Sequence, residues 1–205
     1  MEFIGECPPG ARGPLDPAAD AAILRRQAGP IPTAYRGGAI DEATDGIASN
    51  FTCVVRPEWI DNNGHMNMGY YVVVFDLATD EWMRLIGLDA VHRRAQDVTT
   101  FCLEAHVTYH REVREGDPLR FTTRLLAYDA KRIHYIHEML HGEAGYLAAT
   151  NELMSLHVSQ QTRRGAPMAP EVLDRLGRIQ LAHDRLPRPL QVGRLMGLGA
   201  RPTTR

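Results

Sequence analysis

From Phe51 onward the chain alternates between two hydrophobic rhythms. Phe51-Thr-Cys-Val-Val-Arg56 is a short apolar run closed by Pro57, which predicts a strand. Between Asn67 and Gly87 the repeat lengthens: Met68, Tyr71/Val72, Phe75, Ala78/Thr79, Trp82 and Leu85/Ile86 recur at three- and four-residue steps. That spacing predicts a helix, against the strand preference of Val72-Val73-Val74 taken alone. Asp76, Asp80 and Arg84 follow the same spacing on another face, so much of the circumference is apolar and the helix is expected to be mostly buried. Four strand-like segments follow, over 99–111, 119–128, 132–141 and 146–159. They are separated by Glu-Gly-Asp-Pro, Asp-Ala-Lys and Gly-Glu-Ala-Gly, and such short, turn-forming separators make neighbouring strands antiparallel. A last helical pattern spans 169–185 through Val172, Leu173, Leu176, Ile179 and Leu181, and Pro187 and Pro189 end it.

One strand, a long apolar helix and four antiparallel strands define an α+β fold in which a sheet of about five strands wraps around the helix. The predicted domain occupies 49–160, with a C-terminal helix and tail over 161–205. Residues 1–48 differ: they hold six prolines and seven glycines and read as a partly disordered arm. One short helix is expected there from Asp16, a suitable cap, to Gln27. No internal repeat is evident.

The 205 residues suit one domain with extensions, and 44% hydrophobic with 23% charged residues is a globular composition. A net charge of -2 gives no global reason to expect nucleic acid or a membrane surface as partner. Cys7, Cys53 and Cys102 are odd in number and lack a Cys-x-x-Cys spacing, which argues against a disulfide framework or structural zinc. Cys53 and Cys102 lie in apolar runs and read as small buried hydrophobes. The N-terminus lacks a basic region and an apolar core, and no run reaches the ~18 apolar residues of a membrane span, so a cytoplasmic location is expected.

Chemistry concentrates in Trp59-Ile-Asp-Asn-Asn-Gly-His-Met-Asn-Met-Gly-Tyr-Tyr71. Asp61 stands in a tight Asn-Asn-Gly turn just before the long helix. By itself that is ordinary turn chemistry. A helix N-terminus, however, offers unpaired N–H groups and partial positive charge to an oxyanion, and a carboxylate beside it supplies a second part of an acyl-transfer centre. Asn67 suits the helix cap, Gly64 permits a positive φ in the turn, and Gly69 permits close approach to the helix end. Glu104, His106, Thr108 and His110 share one strand face, but neither they nor His134, His137, His141 and His157 form a compact metal signature. Glu104 is a candidate second polar group.

The block resembles the active-site signature of hotdog-fold thioesterases of the 4-hydroxybenzoyl-CoA thioesterase type, Asp-x-x-Gly-His/Ile-Met/Val, and the resemblance covers about residues 50–160. It implies the hotdog fold and hydrolysis of an acyl-CoA, or of an acyl carrier protein ester, to free acid. Asp61 is then the nucleophile or the general base, and the Met68 N–H the oxyanion donor. His65 orients Asp61 or lines the pocket. Lys131 and Arg132 lead the candidates for CoA phosphates, ahead of Arg111, Arg114, Arg163 and Arg164. The segments Glu104-Ala-His-Val-x-x-His-Arg-Glu and Asp129-x-Lys-Arg-x-His are further similar to betainyl-CoA thioesterases of carnitine degradation. A trimethylammonium acyl group would give Trp59, Tyr109 and Glu104 a role as aromatic and anionic partners. The resemblance also implies a homodimer or homotetramer, with no metal and no cofactor beyond the CoA of the substrate. A non-catalytic acyl-CoA sensor and an oligomerisation module are the alternatives from other classes.

Overall fold

The computed structural model describes residues 48–197. The expected arm and its helix lie outside the described residues. Strand β1 (Ala48–Val54) leads through a 3₁₀ turn (Pro57–Trp59) and the Asp61 loop into helix α1 (Met68–Leu85). A short helix α2 (Ala90–Ala95) precedes four strands, β2 (Val98–Tyr109), β3 (Pro118–Tyr128), β4 (Arg132–His141) and β5 (Leu147–Ser159). Helix α3 (Pro170–His183) follows. The five strands form one sheet in the order β1-β3-β4-β5-β2, every neighbouring pair antiparallel.

Helix α1 lies against this sheet because its sequence puts Tyr71, Val74, Phe75, Ala78, Trp82 and Met83 on one buried face. Phe75 meets Phe121 edge-on with ring centroids 5.7 Å apart, and Trp82 packs on Tyr135 at 6.1 Å. Each such fully buried side chain contributes about 1.5–3 kcal/mol of apolar burial, which outweighs the strand preference of three valines. Val74 is buried while Val72 is exposed, so the helical period decides their fate. A second apolar cluster joins Trp82, Met83, Ile86 and Leu88 to Val172, Leu176 and Ile179 of α3.

Two features depart from expectation. Helix α2 has no buried residue and rests on its cap, the Asp89 side chain accepting the His92 N–H at 2.8 Å, so it carries no apolar period to read. Cys102 is exposed rather than buried, because β2 is an outer strand. A bulge between Cys102 and Glu104 interrupts its pairing with β5, and the thiol there points at the Glu104 carbonyl. Cys53 is half-buried, and burial pushes its thiol up to about 12. None of the described helices is long and apolar enough to cross a membrane.

Candidate active site

The Asp61 loop is a closed backbone turn. The Asp61 N–H donates to the His65 carbonyl at 3.0 Å and the Gly64 N–H to the Asp61 carbonyl at 3.0 Å. Closing it this way needs the left-handed backbone that Gly64 adopts, with φ +78°. The Asp61 carboxylate is half-buried, and its Oδ1 accepts the Asn63 N–H at 2.8 Å. The loop is tied down at both flanks: Ile60 and Met66 bridge, Met66 donates to the Val113 carbonyl, and the Asn67 N–H donates to the Trp59 carbonyl. Trp59 is 2% exposed and stacks on Tyr70, with the Arg56 guanidinium over its ring at 5.3 Å. Its ring therefore supports the turn from within the core and does not line the cleft.

Asn67 is the helix cap, with extended backbone and its Oδ1 accepting the Gly69 N–H at 2.9 Å. Its carbonyl accepts the Tyr70 N–H. Of the first amides of α1, that of Met68 meets no acceptor among the described residues. A Cβ at Gly69 would stand 3.3 Å from the capping oxygen, so glycine there leaves the cap undisturbed.

Turn and helix end face one open cleft of about 480 Å³. Asp61, Asn63 and His65 form one side, Met68 and Tyr71 the second, and the segment from Tyr109 to Glu112 the third. Tyr109 donates to the Met68 carbonyl at 3.3 Å and meets Tyr71 edge-on at 5.1 Å. Burial pushes both tyrosine hydroxyls above the usual phenol range, so both remain neutral donors. His65 Nε2 lies 3.0 Å from Glu112 Oε2, and Glu112 Oε1 accepts from Arg114 at 3.0 Å. Arg111 stacks over Tyr146 at 3.9 Å.

Five of the expected residues, Asp61, His65, Asn67, Met68 and Tyr109, thus meet at one cleft, with Gly64 and Gly69 shaping its turn and helix end. Glu104 does not join them: it lines a separate cleft of about 270 Å³ with His106, His134 and Glu152. There His134 pairs with Glu152 at 2.8 Å, and Glu152 also accepts the Gly193 N–H. Lys131 and Arg132 lie in the β3–β4 turn. Backbone N–H groups of both, and then the Arg132 side chain, bond Asp129 and hold its carboxyl at about 2. That leaves Lys131 as the less committed cation. Glu112 was not singled out by the sequence, although it closes the His110-Arg-Glu segment that follows Tyr109. Among the described residues no three His, Cys, Asp or Glu side chains group as metal ligands.

Residues 55–176 match the thioesterase-like superfamily. A betainyl-CoA thioesterase of Pseudomonas aeruginosa is 41% identical over 152 residues, 74% of this chain and 96% of that protein. An L-carnitine dehydrogenase/betainyl-CoA thioesterase of Agrobacterium fabrum is 38% identical over 139 residues, 68% of this chain but 28% of that longer protein. Among solved structures, a Staphylococcus aureus protein in complex with CoA superposes with a TM-score of 0.69 at 30% identity, covering 73% of this chain and 94% of that one. A curled five-stranded antiparallel sheet around one helix, with this match, is the hotdog fold: the chain belongs to the thioesterase-like superfamily. It is a thioester-hydrolysing enzyme.

Proposed function

We propose that the chain hydrolyses an acyl-CoA, with betainyl-CoA first among the substrates, to the free acid and CoA. Asp61 attacks the thioester carbonyl, and the Met68 N–H receives the negative charge that develops on the carbonyl oxygen. The observation that carries this reading is the juxtaposition in one cleft of a half-buried carboxylate and a helix-terminal N–H without an acceptor among the described residues. A nucleophile and an oxyanion donor fixed by the same loop and helix end are the minimal parts of an acyl-transfer centre. Tyr71, Tyr109 and the carboxylates of the cleft are fitting neighbours for a quaternary ammonium acyl group. The betainyl-CoA thioesterase relative supports that choice.

Lys131 and Arg111 are assigned to the CoA phosphates, and no cofactor is required. We assign the active form to a homodimer joined through β2. In support, this strand presents twelve residues along the sheet edge, with Phe101 and Leu103 exposed at 37% and 55%. Unpaired apolar edges favour pairing with another strand.

The test is release of free thiol from betainyl-, butyryl-, octanoyl- and benzoyl-CoA by wild type and Asp61→Asn. Expected is a preference for betainyl-CoA over neutral acyl groups of similar size. Loss of roughly 10²-fold or more in the variant is also expected. Equal rates across the panel overturn the acyl assignment, and binding without turnover overturns the hydrolase.

A further inference from the structure

We propose that His65 carries the proton of the reaction and that Glu112 positions it. The inference rests on the thioesterase reading above and adds two groups to those it already uses. Glu112 Oε2 stands 3.0 Å from His65 Nε2. A carboxylate only accepts hydrogen bonds, so Nε2 holds a hydrogen in either charge state of the ring. Nδ1 meets no partner among the described residues and is the nitrogen left to exchange a proton. Glu112 is itself fixed on two sides: Arg114 donates to Oε1 at 3.0 Å, and the Tyr146 hydroxyl donates to its carbonyl at 3.0 Å. His65 is fixed through its backbone, since its carbonyl closes the turn on the Asp61 N–H. Nucleophile, ring and carboxylate thereby occupy adjoining walls of one cleft. A proton-transferring ring whose far nitrogen is held by an anion is the general arrangement for cycling between acid and base.

An Asp61 oxygen forms a bond to the acyl carbon, and the carbon–sulfur bond breaks with its electron pair on sulfur. Imidazolium Nδ1 gives its proton to that sulfur, releasing CoA as the thiol. The neutral ring then takes a proton from water while the water oxygen bonds to the acyl carbon, and Asp61 departs as a carboxylate. The acid leaves with the acyl group, and His65 ends protonated as it began. Glu112 stabilises the charged ring in both halves without touching substrate.

The test compares two esters of one acyl group. The first is the CoA ester (betainyl-CoA, or butyryl-CoA if that is the better substrate). The second is the ester of thiophenol, whose thiolate departs without needing a proton. His65→Gln is expected to lower kcat/KM, which reports the steps up to thiol release, on the CoA ester by roughly 10²-fold or more but on the phenyl ester by less than about tenfold. Glu112→Gln, nearly isosteric at a half-exposed site, should show the same leaving-group dependence at smaller size with KM little changed, and Glu112→Asp should restore part of the loss. Binding of a non-hydrolysable thioether analogue of the CoA ester checks that each variant keeps its fold. Equal losses on both esters, or none, overturn the proposal. Asp61→Asn separates the two readings: its loss of both esters keeps Asp61 as the nucleophile whatever His65 does, and its retention of both moves the nucleophile to another group.

Discussion

His137 donates to Thr79 from beneath the helix. The Thr79 hydroxyl gives its one hydrogen to the Phe75 carbonyl at 3.0 Å, so the 2.9 Å contact to His137 Nε2 places the hydrogen on the ring. Nδ1 is then the acceptor for the Thr123 hydroxyl at 2.7 Å. The ring is fully buried, and burial lowers it to about 3. The folded ring is therefore neutral, and protonating it means placing a charge in the core.

This pairing sets an acid limit on stability. The folded ring titrates near 3 and the unfolded one near the ordinary 6.5, so the contribution is intact above pH 6.5. It falls as the pH drops through that window, and is spent near pH 3. From pH 7 to pH 5 the loss should be about 2 kcal/mol. Urea unfolding at the two pH values measures it. His137→Gln should be less stable than wild type at pH 7 yet show a shallower acid decline.

Gly64→Ala should lower both stability and turnover. No atom lies within 4 Å of the would-be Cβ, so the cost is conformational, about 1–2 kcal/mol for holding an L-residue at φ +78°. Asn, which tolerates this region better, should recover part of both losses. Thermal melts alongside kcat check the comparison.

Asn67→Ala removes the acceptor of the Gly69 N–H and should cost about 1 kcal/mol. The freed first turn also shifts the Met68 amide, so kcat should fall on the order of tenfold, short of the 10²–10³ for outright loss of an oxyanion donor. An unchanged kcat in a destabilised variant would separate the cap from catalysis.

Lys131→Ala should raise KM for CoA esters several-fold with kcat held, the mark of a group that binds ground and transition states alike. Arg132→Ala should do less to KM, because its guanidinium already bonds Asp129 at 2.6 Å. Initial rates over a range of CoA ester concentrations distinguish them.

Leu103→Lys puts a charge on the exposed edge of β2 and should shift the protein to monomers in light scattering. Turnover should fall with the dimer. A fully active monomer would detach the site from the second copy.

The helix, the four later strands and the capping asparagine were legible because each is a local signal: a period, a turn, a side chain two residues from the amide it bonds. The 18-residue α1 was readable through three valines because six buried positions share its period. What stayed hidden depends on strand order. Nothing near Cys102 says that β2 ends the sheet, so its apolar run looked buried. Glu112 reaches His65 across 47 positions, and Glu104 parts from Asp61 because its side chain opens on a different cleft. Trp59 was visible as an aromatic beside the motif, but whether a ring faces ligand or core is decided by packing.

The last turn of helix α3 reaches back to β3. The matched stretch ends at residue 176, yet His183 Nδ1 accepts the buried Leu125 N–H at 2.8 Å, beside the bulge in β3. Arg124 meanwhile gathers the carbonyls of His183, Leu186 and Pro187. The final turn of that helix thus finishes a strand almost sixty positions earlier. A chain shortened at residue 176 would keep every residue of the cleft and still strip the Leu125 N–H of its imidazole acceptor and Arg124 of its carbonyls. The unit that evolution and the protein engineer must move intact therefore runs past the matched stretch, to Pro187 beyond the end of that helix.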